Sequence, residues 1–294
     1  MPLSEAVRLV SDGSHVALTG FSISRNSVAA AAEVVRQGRR RLTVSQTIAG
    51  FETDLLVGAG CVERLLFSGG SLDRFGRLSR ISAAIEEGSL AAESYSGLSL
   101  AYRYLAGSLG LPYVPAKSLL KSDILREFEG MPDAPVVADR DPFTGDEIVL
   151  LRCLQPDIAI ATVHYADPVG NYIIEGARWD TVEALNAADT AILLTEHLVE
   201  TSDLRRRAEL VHTAFNVAAV VHMPWAAFPT AMFGVHDYDA LHLEEYVRMA
   251  RDRDGFDRYL EMFVQGCPDH QRFIERALSW RPAAVLEQFL PAVS

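Results

Sequence analysis

A glycine and an aromatic residue near the start of the chain have the types and spacing that could bind a small anion. Gly20 and Phe21 lie just after an apolar run at residues 16–18 and Thr19, ahead of an alanine-rich stretch that predicts a helix. Glycine lets the backbone approach a ligand closely, and the unpaired N–H groups at the start of a helix favour an anion. The same pattern also fits a small residue that only lets a helix pack against a strand. The turn alone leaves both interpretations open.

A second glycine turn lies further along the chain. Gly69 and Gly70 follow the apolar residues 62–67, and Arg74, Arg77 and Arg80 come after them at three-residue spacing. That spacing predicts a row of arginines on one face of a helix. Such a row is either a solvated surface or a site for phosphate groups, which arginine binds through two parallel hydrogen bonds.

The sequence lacks the usual motifs of several enzyme classes. Its eight histidines show no H-E-x-x-H spacing, and Cys61, Cys153 and Cys267 lie too far apart for a paired motif, so we predict buried thiols and no metal site. The sequence contains no G-x-S-x-G, G-x-x-x-x-G-K-[ST] or G-x-G-x-x-G motif, which disfavours α/β serine hydrolases, nucleotide hydrolases and dinucleotide-dependent oxidoreductases. His164, just past a predicted strand, is either an acid–base group or a histidine bonded to nearby backbone.

The composition indicates a globular protein that binds neither nucleic acid nor membranes. The 294 residues are 49% hydrophobic, which is ample for a buried core. A net charge of −12 repels nucleic acid and anionic lipid. The N-terminus contains acidic residues and no long apolar core, and no segment reaches the length of a membrane span. We therefore predict a cytoplasmic protein.

Sequence patterns typical of strands and helices alternate along most of the chain. The predicted elements must position the candidate site residues named above. The alternation predicts an α/β fold, with a mainly parallel open sheet and helices on both faces. Residues 131–146 predict a surface excursion, after which the sheet resumes at residue 147. No linker divides the chain, so we predict one domain over residues 1–294 with a mostly helical part from about residue 240. Short apolar, β-branched runs predict strands at residues 16–18, 42–47, 62–67, 157–163, 190–194 and 217–223.

Several segments together resemble one family, the class I coenzyme A transferases, and specifically their α chain. Residues 12–21, DGSHVALTGF, are similar to the family's first signature, although Thr19 stands where the family usually has a glycine. Residues 109–115, LGLPYVP, and the turn at residues 166–171, ADPVGN, resemble two further segments. Arg25 is typical of the glutaconate CoA-transferase branch. The resemblance covers nearly the whole chain and implies the CoA-transferase (isomerase-like) fold.

The resemblance implies an α subunit of a heteromeric acyl-CoA:carboxylate CoA-transferase. In this family a glutamate of the partner β chain attacks the acyl-CoA and then carries a glutamyl-CoA thioester, which divides one difficult exchange into easier steps. The implied substrate is a coenzyme A thioester, and no permanently bound cofactor is implied. The resemblance places no catalytic residue in this chain. It implies a heterodimer or a higher heteromer. The residues expected to line the substrate site at the interface are Gly20, Phe21, Arg25, Gly69, Gly70, Tyr95 and Ser96.

Two other functions remain open. The chain is also similar overall to the α subunits of ring-opening hydrolases that act on cyclic diketone CoA thioesters in steroid breakdown. Those subunits carry a glutamate where this chain has Gly97, so Glu93, close by in sequence, is the candidate catalytic residue under that alternative. A related fold also serves as a non-catalytic metabolite-binding module in regulators, and the acidic charge disfavours this third function.

Overall fold

The computed structural model describes residues 1–279, in which strands and helices alternate. The strands are β1 (His15–Leu18), β2 (Leu42–Gln46), β3 (Val62–Phe67), β4 (Ala91–Ser94), β5 (Tyr113–Ala116), β6 (Val136–Arg140), β7 (Glu147–Arg152), β8 (Ile158–Ala166), β9 (Asn171–Ile173), β10 (Thr190–Leu198), β11 (Val211–Thr213) and β12 (Val217–His222). The helices are α1 (Leu3–Ala6), α2 (Val28–Arg36), α3 (Phe51–Gly58), α4 (Ser79–Glu86), α5 (Gly97–Ser108), α6 (Asp123–Phe128), α7 (Thr181–Ala187), α8 (Thr201–Arg205), α9 (Ala240–Met249), α10 (Arg253–Tyr259) and α11 (His270–Leu278).

Seven parallel strands form the centre of the large sheet, in the order β12-β10-β8-β1-β2-β3-β4, and the antiparallel strands β9 and β11 extend it beside β8. From β1 the chain builds one half of the sheet outward to β4, and it later builds the other half outward from β8. The strand order therefore reverses between β1 and β8. Open α/β sheets bind ligands outside the carboxyl ends of the strands at such a reversal. The predicted fold class is confirmed.

Alternate side chains of the strands face two separate cores, one on each side of the sheet. Val16 and Leu18 of β1 pack with α1 to α4 and the C-terminal helices, whereas Ala17 between them packs on the side of α5 and α7. Successive side chains of a strand point to opposite faces, so both faces of β1 are covered. Helices on both faces explain why the central strands are buried along most of their length.

The described C-terminal part is mainly helical, with α9, α10 and α11 between residues 240 and 278. A π-helical segment (Leu260–Gln265) joins α10 to α11, and Tyr246, Phe256 and Phe263 are buried in the same core as α2 and α3. Residues 280–294 lie outside the described residues, so both their predicted helicity and the prediction of one domain over residues 1–294 stay predictions. None of the helices in residues 1–279 combines the length and apolar character of a membrane span.

One sequence prediction is wrong at β7. Residues 131–146 are mostly exposed, in agreement with a surface excursion, although they contain the strand β6. β7 does not resume the large sheet, because it lies between β5 and β6 in a separate antiparallel sheet of three strands. Val149 and Leu151 of β7 are fully buried, whereas β6 is exposed after its first residue. A short apolar run alone does not distinguish a strand of one sheet from a strand of another.

The prediction of one helical row for Arg74, Arg77 and Arg80 is also wrong. α4 begins just before Arg80, so the other two arginines precede the helix, and Arg74 lies in a 3₁₀ turn. Arg74 stacks against the ring of Tyr238, with Cζ 5.3 Å from the ring centre. Arg80 is buried and its Nη2 donates to the Arg251 carbonyl at 3.1 Å. Arg74 and Arg80 therefore make different local contacts rather than forming one row.

Candidate active site at the carboxyl edge of the parallel sheet

The loops that follow β1, β2 and β3 lie side by side because these parallel strands are neighbours in the sheet. Hydrogen bonds join the loops to one another. The Ser68 N–H group donates to the Thr47 carbonyl at 3.0 Å, and the Ser22 hydroxyl donates to the Ser71 carbonyl at 2.9 Å. The two glycine turns found in the sequence thus belong to one connected surface at the carboxyl edge of the sheet.

Gly20 lets the loop after β1 fold closely on itself, and Gly50 lets the loop after β2 approach that loop. Gly20 has φ of +133°, in a region that residues with side chains rarely adopt, and a Cβ atom there would lie 2.8 Å from the Arg25 carbonyl oxygen. A Cβ atom on Gly50 would lie 2.1 Å from the Ser22 carbonyl oxygen and 2.6 Å from Asn26 Nδ2. These distances are shorter than any real Cβ contact, so both positions require glycine.

A cavity of about 440 Å³, here called the apolar pocket, lies between these loops and the helices α5 and α7. Its wall is mostly hydrophobic, and its carboxyl groups are those of Asp180 and Glu183. Gly97 begins α5 in this wall, where a Cβ atom would lie 3.6 Å from Ser68 Oγ, an ordinary contact distance. The lining residues are Gly20, Phe21, Thr47, Ile48, Gly97, Leu98, Ala101, Tyr102, Leu105, Trp179, Asp180 and Glu183.

Trp179 and Asp180 are site residues that the sequence analysis missed. The Trp179 ring stacks on Phe21, with ring centres 5.1 Å apart and planes 18° apart. The Asp180 carboxylate accepts a hydrogen bond from the Thr47 hydroxyl. Burial raises the pKa of Asp180, and the hydrogen bond from Thr47 opposes that rise. The two residues precede α7, and nothing in their local sequence connects them to Gly20.

Arg25 is buried, and oxygen atoms of the protein itself surround its guanidinium group. Nη1 donates to the Thr162 carbonyl at 3.2 Å, and Nη2 donates to Thr181 Oγ1 at 2.9 Å and to the carbonyls of residues 177 and 178 at 3.3 and 3.2 Å. Its Cζ lies 5.1 Å from the Trp179 ring centre. Burial lowers the pKa of Arg25 to about 10, so it stays cationic at neutral pH. Arg25 thus joins the loop after β1 to the segment that carries Trp179.

Trp179 also lines a second cavity of about 660 Å³, here called the Arg25 cavity. Arg25 contributes to its wall together with Glu175 and residues 231–237. Phe233 in this wall is 70% exposed. One aromatic side chain is therefore common to two neighbouring cavities at the reversal of strand order.

The remaining predicted site residues lie at the same edge of the sheet but do not line the apolar pocket. Ser96 is the N-cap of α5 and exchanges hydrogen bonds with Ser99. Tyr95 is buried, and its hydroxyl donates to Glu93 Oε2 at 2.8 Å. Glu93 Oε1 lies 3.0 Å from Arg64 Nε in an ion pair at the edge strand β4. Gly69 and Gly70 form the turn after β3, and contact of any of these residues with substrate stays a prediction.

His164 is bonded to the backbone on both sides of its ring. Nδ1 accepts from the Glu175 N–H group at 3.0 Å, and Nε2 donates to the Phe233 carbonyl at 2.8 Å. Burial lowers the pKa of His164, so the ring is neutral. These contacts favour the second of the two interpretations offered by the sequence. Among residues 1–279, no three histidine, cysteine, aspartate or glutamate side chains gather in an arrangement that could hold a metal ion.

Glu52 is a fully buried carboxyl group beneath the loop after β1. Its Oε1 accepts from Gln46 Nε2 at 2.7 Å, whereas Oε2 has no hydrogen-bond partner among the described residues. The side-chain amide of Asn26 is buried nearby and opposes the effect of burial on the pKa of Glu52. Burial raises the pKa of Glu52 to about 7. The folded protein therefore favours the protonated form of this side chain.

Glu52→Gln is expected to make the protein more stable at pH 8 by about 2 kcal/mol, because it removes the cost of burying a charge. The pKa of Glu52 is higher in the folded than in the unfolded protein, so its contribution to stability is present below pH 4.5 and lost as pH rises through about 7. Urea unfolding between pH 5 and pH 8 measures the free energy of unfolding of both proteins. The difference between the Glu52→Gln variant and the unsubstituted protein should grow as the pH rises. The exposed Glu87→Gln is the control, and an equal pH dependence for both variants would contradict the assignment.

Comparison with known proteins assigns the family. The sequence model of the coenzyme A transferase family, described as "Coenzyme A transferase", matches residues 1–222 of the 294. The chain belongs to this family. The family match confirms the resemblance noted in the sequence, and it covers β1 to β12 together with the apolar pocket.

Three relatives show how far the similarity extends. The α-type chain of 3-oxoadipate CoA-transferase from Pseudomonas knackmussii is 30% identical over 277 residues, which cover 93% of this chain and 96% of that protein. The crystal structure of glutaconate coenzyme A-transferase from Acidaminococcus fermentans superposes with a TM-score of 0.88 at 28% identity, over 95% of this chain and 92% of that chain. A protein of Archaeoglobus fulgidus is 32% identical over 281 residues, but this chain spans only 61% of its length.

Proposed function

We propose that this chain is the α subunit of a heteromeric acyl-CoA:carboxylate CoA-transferase whose catalytic glutamate lies on a partner β subunit. The observation that carries the proposal is the position of the apolar pocket, at the reversal of strand order in a chain that matches the α-type chain of a CoA-transferase over 93% of its length. Ligands of open α/β sheets bind at such a reversal. The substrate of this reaction is a coenzyme A thioester, and no resident cofactor takes part.

The proposed reaction passes through two covalent intermediates on the partner's glutamate. Its carboxylate attacks the thioester carbonyl of the acyl-CoA, and the coenzyme A thiolate leaves to give a mixed anhydride. The thiolate then attacks the glutamyl carbonyl, which forms the glutamyl-CoA thioester and releases the first acid as its carboxylate. The same steps in reverse with a second carboxylate complete the exchange. Covalent catalysis of this kind replaces one difficult step by easier ones.

Residues of this chain bind and orient the reactants in this proposal. Gly20 and Phe21 contact the acyl group from the wall of the apolar pocket. Backbone N–H groups of the turn at Gly69 and Gly70 stabilise an oxyanion or hold a carboxylate, since dipoles fixed in advance stabilise developing charge. Arg25 is a positioning residue, because its hydrogen bonds fix the segment that carries Trp179.

Two further predicted residues act through α5 in the same proposal. Ser96 caps the first turn of the helix, and Tyr95 packs beneath it, so together they hold Gly97 in the wall of the apolar pocket.

We further propose that residues 1–294 act as one domain. We also propose that the protein is cytoplasmic, because acyl-CoA thioesters are intracellular metabolites.

The test of this function uses the complex of this chain with its partner. The complex is incubated with acetyl-CoA, digested and analysed by mass spectrometry, and CoA exchange into a second carboxylic acid is measured. A coenzyme A adduct is expected on a glutamate of the partner chain and not on this chain. An adduct on Asp180 or Glu183 would contradict the assignment of the nucleophile, and a complex that exchanges no CoA would refute the transferase.

Glu93→Gln is expected to keep CoA transfer within about twofold of the original rate, because an ion pair that is open to solvent contributes little. The carboxylate of Glu93 is paired with the half-exposed Arg64 and with Tyr95 rather than placed in the apolar pocket. The exposed Glu63→Gln on the neighbouring strand is the control. A ring-opening hydrolase would instead lose activity on Glu93→Gln and release a carboxylate without a CoA acceptor. Acyl-CoA binding by the complex without turnover would favour the metabolite-binding module.

A further inference from the structure

We infer that the apolar pocket selects acyl groups without a second carboxylate and rejects those of dicarboxylic acids. This inference rests on the proposed function, and it names the substrate class of the same site. The wall combines Phe21, Ile48, Leu98, Leu105 and the Trp179 ring, which suit an aliphatic or aromatic acyl group.

The charged groups of the apolar pocket all have the same sign. Asp180 and Glu183 both line it, and of the described residues none that lines it is a lysine, an arginine or a histidine. A second carboxylate on the acyl group would therefore lie beside two acidic side chains, with no cationic side chain in the described pocket lining to oppose it. Like charges in a partly desolvated site repel one another strongly.

Arg25 is the cation whose charge acts on Asp180, and it lies outside the lining of the apolar pocket. Four oxygen atoms of the protein accept hydrogen bonds from Nη1 and Nη2 of Arg25. Its guanidinium lies against Trp179 and lines the Arg25 cavity. A carboxylate in the apolar pocket would therefore compete with these protein oxygens for the donors on Nη1 and Nη2.

This substrate class separates the chain from the relatives it matches. Two of them are named for dicarboxylic acids, 3-oxoadipate and glutaconate. The similarity extends over nearly the whole of those chains, but it does not determine the charges in this pocket. Asp180 and Glu183 are the specificity-determining residues of this inference.

The test compares two CoA donors with acetate as acceptor, in the complex of this chain with its partner. The value of kcat/KM for hexanoyl-CoA is expected to exceed that for glutaryl-CoA by about 100-fold, and Glu183→Lys should raise the value for glutaryl-CoA by about tenfold, since it replaces a repulsive charge by an attractive one. Glu183→Gln, which is closer in shape, should reduce the discrimination by a smaller factor. The exposed Glu87→Lys makes the same charge change outside the pocket and should leave both values unchanged.

The outcomes separate this inference from the proposed function. The inference would be overturned if the value of kcat/KM for glutaryl-CoA equalled or exceeded that for hexanoyl-CoA. It would also be overturned if Glu183→Lys and Glu87→Lys changed these values equally. Either result would leave the proposed transferase function intact. If the complex turns over neither donor, the proposed function fails. Calorimetric titration with both thioesters then decides the preference of the pocket, and tighter binding of glutaryl-CoA would overturn the inference.

Discussion

Gly50→Ala is expected to lower the free energy of unfolding by about 3 kcal/mol and to abolish substrate binding, because an added atom in a packed interior forces its neighbours to move. The new Cβ atom would lie 2.1 Å from the Ser22 carbonyl oxygen and 2.6 Å from Asn26 Nδ2. Both belong to the loop that carries Gly20 and Phe21. This loop would have to leave the loop after β2, and the wall of the apolar pocket would move with it.

The matched control for Gly50→Ala is Gly97→Ala at the same edge of the sheet. A Cβ atom on Gly97 would have its nearest neighbour at 3.6 Å, so this substitution adds a methyl group without a clash. Its effect on stability should be below about 1 kcal/mol. Urea unfolding followed by circular dichroism measures both variants, and similar midpoints for the two would show that the loops are not in the close contact described here.

Arg25→Ala is expected to cost about 4 kcal/mol of stability, because hydrogen bonds to a charged group are strong and buried acceptors would lose their donors. The Thr162 carbonyl, the Thr181 hydroxyl and the carbonyls of residues 177 and 178 would all lose this partner. Trp179 would lose the cation beside its ring, so tryptophan fluorescence should change as well. Arg25→Lys keeps the charge but lacks the planar fork, and it should recover only part of the loss.

Arg41→Ala is the control for the backbone conformation of Arg25. Arg25 has φ of +55° and Arg41 has φ of +57°, but Arg41 is exposed. Both substitutions therefore place alanine in the left-handed region, and only Arg25→Ala removes buried hydrogen bonds. A loss of stability for Arg25→Ala no larger than that for Arg41→Ala would contradict the role of Arg25 as an anchor.

The sequence predicts the large sheet well because its central strands are covered on both faces. A strand such as β8 is then buried along almost its whole length and begins with the apolar run of residues 158–161, which is easy to recognise. The small sheet gives no comparable signal. β6 has one buried residue followed by four exposed ones, and its sequence VVADR shows neither a long apolar run nor an alternation of apolar and polar residues. β7 is mostly apolar, but its pairing with β5 and β6 depends on the path of the chain through the fold. No local sequence pattern predicts that path.

The site was only partly predictable for a related reason. Gly20 and Phe21 follow β1 after one residue, and their types carry the family signature, so the sequence predicts that wall. Trp179 and Asp180 come more than 150 residues later, and the pairing of β1 with β8 brings them to the same edge. Arg25 was expected to line the substrate site, because its sequence neighbours do not show that backbone carbonyls of distant residues accept its hydrogen bonds.

The ring of Trp179 forms part of the wall of two cavities, the apolar pocket and the Arg25 cavity. A ligand that moves this ring when it binds in one cavity changes the space left in the other. Such a ligand alters the affinity of the other cavity by some factor. Equilibrium requires this factor to be the same in both directions, whichever ligand binds first.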